Sequence, residues 1–206
     1  MFPLRTRNAF YASVAAVGLS SALIVGSACA ANAATTIQKQ ASMEAGNFKE
    51  FTDTSVSTGS LAVETTRAYA GARSGHAKYN GGGANGYARG QTAVTWKNGQ
   101  DVWYSGAFFL PSGFKSRQQG QVSLMRWDNW SIDPNTTDQG GLVLRSDGSF
   151  VLVRQKLGST YTEVSKASSA PENRWVWVEV HQKFSNTNGK AINELYVDGK
   201  LVSSTT

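Results

Sequence analysis

The stretch Trp175-Val176-Trp177-Val178-Glu179-Val180-His181-Gln182-Lys183-Phe184 decides the fold class. Valine holds positions 176, 178 and 180, while Trp177, Glu179, His181 and Lys183 hold the alternate ones. Successive side chains of an extended strand point to opposite faces, so β-branched residues confined to one parity specify a strand with a single core face. A helix would scatter the same valines around its circumference. The alternation recurs outward from this segment, in residues 61–66, 76–80, 87–96, 101–110, 121–127, 141–146, 149–155, 160–166 and 193–202, and no stretch sustains a 3.6-residue period. Ser146-Asp147-Gly148-Ser149 and Val197-Asp198-Gly199-Lys200 set Asp-Gly between apolar runs, which predicts two hairpins. Ten short strands punctuated by Gly, Asn, Asp, Ser and Pro predict an all-β, two-sheet antiparallel sandwich.

Composition agrees with that class. The chain has 206 residues, of which 40% are hydrophobic and 17% charged, enough apolar material for one core and too few charges for a disordered chain. Twenty-one Gly, six Trp, seven Tyr and nine Phe are a turn-rich, aromatic-rich mixture that disfavours a helical bundle. The formal charge of +6 comes without a long basic run, which excludes nucleic acid as the expected partner.

Residues 1–33 read as a secretory signal peptide: Arg5 and Arg7 open it, Ala9 to Val25 form its apolar centre, and Ala31-Asn32-Ala33 is a small-residue cleavage site. Ser13, Gly18, Ser20 and Ser21 interrupt the apolar centre, which is short for a membrane span, so no stable insertion is expected after cleavage. The domain is then residues 34–206, extracellular and monomeric, with its charge lowered from +6 to +4 and without Cys29, the only cysteine. Disulfides, a thiol nucleophile and a thiolate zinc site are thereby excluded, and packing must supply the stability. Two histidines, His76 and His181, are too few for a histidine-built metal site, so no metal ligand and no cofactor is assigned. The polar connection from Asp128 to Gly141 is the one candidate for surrounding a calcium ion, though its spacing matches no defined calcium loop. Asn80 to Gly86 is glycine-rich, yet no Gly-Lys-Ser/Thr follows, so it reads as a plain loop.

Strand parity also sorts candidate functional residues. Val176, Val178 and Val180 belong to the core, as do Leu195, Val197, Val122 and Leu124. Trp177, Glu179, His181 and Lys183 then face outward, with Glu194, Tyr196 and Asp198 on the next segment and Gln121, Ser123, Met125 and Trp127 on a third. If these segments are neighbours, Trp127, Glu179, His181 and Tyr196 line one open face, which Arg145 or Arg154 would join. Aromatic faces stack on sugar rings and interleaved polar groups bond hydroxyls, so the mixture suits a polysaccharide groove. Trp177 and Trp127 are assigned to sugar stacking, and Trp175 to packing in the core.

Four stretches resemble the concanavalin A-like jelly roll of heparin-lyase-like polysaccharide lyases and laminin-G-like sugar-binding domains. They are Gly99-Gln100-Asp101-Val102-Trp103-Tyr104-Ser105-Gly106-Ala107-Phe108-Phe109-Leu110-Pro111, Gln121-Val122-Ser123-Leu124-Met125-Arg126-Trp127, residues 175–185, and Leu195-Tyr196-Val197-Asp198-Gly199-Lys200-Leu201-Val202. The resemblance implies a jelly-roll sandwich, a closing strand beyond Thr206, and a lyase that cleaves an acidic extracellular glycan by β-elimination. His181 would be the base, Tyr196 the acid or base, and Arg126 or Arg145 the group that neutralises the uronate carboxylate. Trp127, Trp177, Glu179, Gln121 and Lys183 would bind substrate. Met125, Arg126 and Trp127 stand where such lyases tend to carry a Gln and a His. A non-catalytic lectin-like module using the same face is the alternative, and a glycoside hydrolase built on Glu179 and Glu194 is a third.

Overall fold

The computed structural model describes residues 8–12, 40–57, 59–79, 87–93, 99–114, 121–129, 138–155, 162–183, 185 and 190–206. Most of these lie in strands: β1 (Asn8–Ala12), β2 (Asp53–Val56), β3 (Gly59–Glu64), β4 (Ser74–Tyr79), β5 (Ala88–Ala93), β6 (Asp101–Phe109), β7 (Gln121–Asn129), β8 (Asp138–Arg145), β9 (Ser149–Gln155), β10 (Thr162–Ser169), β11 (Trp175–Lys183), β12 (Ile192–Val197) and β13 (Lys200–Thr205). They pair antiparallel into a seven-stranded sheet in the order β10-β9-β8-β7-β1-β5-β2, a four-stranded sheet in the order β13-β12-β11-β6, and the β3-β4 ribbon. β1 lies within the segment read as a leader and fills the place between β5 and β7. The glycine-rich loop and most of the calcium candidate, residues 130–137, lie outside the described residues. No described helix is long and apolar enough to cross a membrane.

Both large sheets contribute to one core. Leu124, Met125, Leu142, Leu144, Phe150 and Leu152 come from the seven-stranded sheet and meet Val102, Tyr104, Phe108, Val176, Val178, Val180 and Leu195 from the four-stranded one. This is a β-sandwich-like architecture, and β11 shows the alternation behind it: Val176, Val178 and Val180 are fully buried, and each odd-numbered neighbour is partly exposed. On β8 and β9, residues of the other parity are buried as well, and Val143, Val151 and Val153 form a separate cluster. The β8-β9 hairpin is thus apolar on both faces.

The two Asp-Gly turns form hairpins. In the first, the amide of Gly148 (φ 80°) donates to the Arg145 carbonyl, and the Asp147 carboxylate accepts from both the amide and the hydroxyl of Ser149. In the second, Asp198 and Gly199 have φ of 50° and 74°, the pair of left-handed residues that a two-residue turn matched to strand twist requires. Asp198 also ties this turn to β11: its carboxylate accepts from the Trp177 amide at 3.0 Å and from Arg174 at 2.9 Å, while its own amide donates to the Trp177 carbonyl.

One parity expectation fails on β7. The register with β8 shifts between Ser123 and Met125, and Leu124 and Met125 are both buried. A bulge places two successive residues against one partner and re-aims the side chains after it. Met125 is therefore a core residue and not an outward one.

Candidate functional site

The outer face of the four-stranded sheet carries the densest group of polar and aromatic side chains among the described residues. Register defines it. Asp101 lies opposite Lys183; Trp103 opposite His181, which faces Glu194; Ser105 opposite Glu179, which faces Tyr196; Ala107 opposite Trp177; and Phe109 opposite Trp175. Val102, Tyr104 and Phe108, of the other parity, are sunk in the core, so burial fixes which way each ladder points.

His181 is the hub. Its Nδ1 lies 2.8 Å from Glu194 Oε2 and its Nε2 3.2 Å from Asp101 Oδ1, while Trp103 stacks on the imidazole at 4.3 Å with the rings 6° from parallel. Tyr196 donates its hydroxyl to the same Glu194 oxygen at 2.9 Å, and its ring lies 5.5 Å from that of Trp103. The hydrogen bond from His181 holds the Glu194 carboxyl below the ordinary carboxylate range; partial burial opposes the shift and the Tyr196 hydroxyl adds to it. Lys183 stands 3.9 Å from Asp101 on the exposed rim.

Trp103 is the exposed ring of this group, with 51% of its surface accessible. The opposite end of the sheet is covered. Tyr69, from the connection between β3 and β4, stacks on Trp177 at 5.6 Å and meets Trp175 edge-on at 6.0 Å, while Arg67 lies over Phe109. Trp175 also packs edge-on against Phe109 at 5.6 Å. Two corrections follow. Trp175 shares the outer face with Trp177, being two residues away and not one, so it is not a core residue. Trp177 spends a ring face on Tyr69 and does not stand free.

The expected single face containing Trp127, Glu179, His181 and Tyr196 is not formed. β7 belongs to the seven-stranded sheet and β11 and β12 to the four-stranded one, which separates Gln121, Arg126, Trp127 and Arg145 from His181, Tyr196, Glu179, Trp177 and Lys183. Arg145 pairs with Glu163 at 2.7 Å, and Gln121 sits opposite Arg145 on the neighbouring strand. Trp127 is placed by its backbone opposite Gly140, and its side chain lies outside the described residues. The parity of β6 carries the signal for the residue that reasoning from β11 alone missed, because Asp101, Trp103 and Ser105 alternate with Val102, Tyr104 and Gly106.

No group of three or more His, Cys, Asp or Glu residues suited to a metal ion occurs among the described residues. Comparison of the chain with protein-family models, with curated proteins and with solved structures finds no match.

Proposed function

We propose that this protein is a secreted jelly-roll domain that holds an extracellular polysaccharide against the outer face of its four-stranded sheet, without cleaving it. The observation that carries the reading is Trp103, a half-exposed indole fixed from behind by His181 and flanked by Tyr196. A large exposed ring held in one orientation loses little entropy on contact with the apolar face of a sugar, and the carboxylates around it accept hydroxyl hydrogen bonds. Affinity electrophoresis of the secreted protein in gels containing neutral, cationic or uronate polysaccharides tests the reading. Trp103→Ala should abolish the retardation that wild type shows, and equal retardation of both would refute it.

Polysaccharide lyase activity is the second reading, favoured by the way Glu194 brings His181 and Tyr196 together. In its neutral form His181 would take the proton next to the uronate carboxylate. The electron pair left behind would form the C=C bond as the C–O bond to the leaving sugar breaks, and the Tyr196 hydroxyl would protonate that oxygen. Arg126 and Arg145 stand on the other sheet, so Lys183 would have to steady the carboxylate. An ultraviolet-absorbing unsaturated uronate appearing on alginate or glucuronan, and lost in His181→Ala, would establish this reading over the first.

A further inference from the structure

The charge of the aromatic face points to a class of sugar. Asp101, Glu179 and Glu194 stand on it against Lys183 and His181. Asp101 faces both His181 and Lys183, and Glu194 is held by His181 and Tyr196. Glu179 is different: it forms no ion pair among the described residues, and the register sets it between Ser105 and Tyr196, one ladder step from Trp103 and one from Trp177. Three of the twenty Lys and Arg residues are paired away from Glu179, Arg145 with Glu163, Lys166 with Asp147 and Arg174 with Asp198.

Resting on the glycan-binding reading above, we infer that this face selects an amino sugar bearing free ammonium groups and rejects uronates, with Glu179 as the anion that meets the ammonium. A carboxylate among aromatic rings suits a cation on two counts. The charges attract, and an aromatic face such as the exposed one of Trp103 presents the negative side of its quadrupole to a cation laid on it. A uronate carboxylate laid on the same rings would face Glu179 as a like charge, while Lys183, the lysine of this face, stands beside Asp101. Recognition is governed by the local set of charges, and the overall +6 acts only at long range.

Titration calorimetry of the secreted protein with three hexasaccharides, β-1,4-linked glucosamine, β-1,4-linked glucose and α-1,4-linked galacturonate, separates the outcomes. The glucosamine hexamer should bind at least tenfold more tightly than the glucose hexamer, and the galacturonate hexamer more weakly than either. Glu179→Gln should bring the glucosamine preference below threefold. Equal affinity for the cationic and neutral hexamers, tightest binding of galacturonate, or a preference unaltered by Glu179→Gln would overturn the inference while leaving glycan binding standing. Failure of all three to bind would overturn the glycan-binding reading itself.

Discussion

Val178 and Glu179 are adjacent on β11 yet should respond oppositely to truncation. Val178 is fully buried in the core shared by the two sheets, whereas Glu179 is partly exposed on the other face. Val178→Ala removes the equivalent of two methylenes, about 1.6 kcal/mol in transfer free energy at about 0.8 kcal/mol each. The space vacated, on the order of 50 Å³ at about 24 cal/mol per Å³, adds about 1.2 kcal/mol if the surroundings do not collapse into it. The total of about 3 kcal/mol corresponds to a melting temperature lowered by about 6–12 °C for a domain of this size. Glu179→Ala truncates a side chain on the partly exposed face and should stay within about 0.5 kcal/mol, or about 2 °C. Differential scanning calorimetry, supported by urea melts of both variants, reads the difference. Equal melting temperatures for the two variants, or a larger loss in Glu179→Ala, would show that the faces of β11 are reversed and would remove the basis for the binding face.

Three further outcomes follow from the same geometry. Trp175→Ala should cost less than the 3–5 kcal/mol expected of a fully buried tryptophan, because its ring lies on the outer face against Phe109 and Tyr69; thermal melts would show this. Gly199→Ala should destabilise by about 1 kcal/mol, since nothing lies within 4 Å of the added Cβ and the cost is that of a φ of 74° alone; denaturant melts against wild type would measure it. Glu194 has its carboxyl held down in the folded state, so it contributes stability above its ordinary titration range that is lost as the pH falls through its lowered value. Wild type should therefore lose more stability on acidification than Glu194→Gln, and parallel slopes in melting temperature against pH would contradict the assignment.

Within a strand, face is written in the sequence; between strands, neighbourhood is not. The valines of β11 and the Asp-Gly turns were legible because alternation and turn chemistry act over a few residues. β2, only four residues long and with a single apolar side chain, gives no such signal. Nothing local says that β7 joins one sheet and β11 the other, since that depends on contacts far apart in the chain, and the face assembled from both was therefore lost. Parity also breaks wherever a residue is inserted, as at Leu124 and Met125. The covering of Trp177 by Tyr69 involves residues more than a hundred positions apart and leaves no local trace. Trp103 was readable by the argument applied to β11 and needed only the parity of β6.

The β8-β9 hairpin, apolar on both faces and paired on both sides, sets the order in which the molecule comes apart. Its amides reach solvent only when the whole domain opens, so in heavy water they should be the last to exchange, at a rate that reports global stability. β13 is the contrast: it is an edge strand with Leu201 and Val202 exposed, and its outer amides exchange through local fraying. A protease should accordingly nibble first at the β13 edge, and the fragment that survives longest should be centred on residues 138–155.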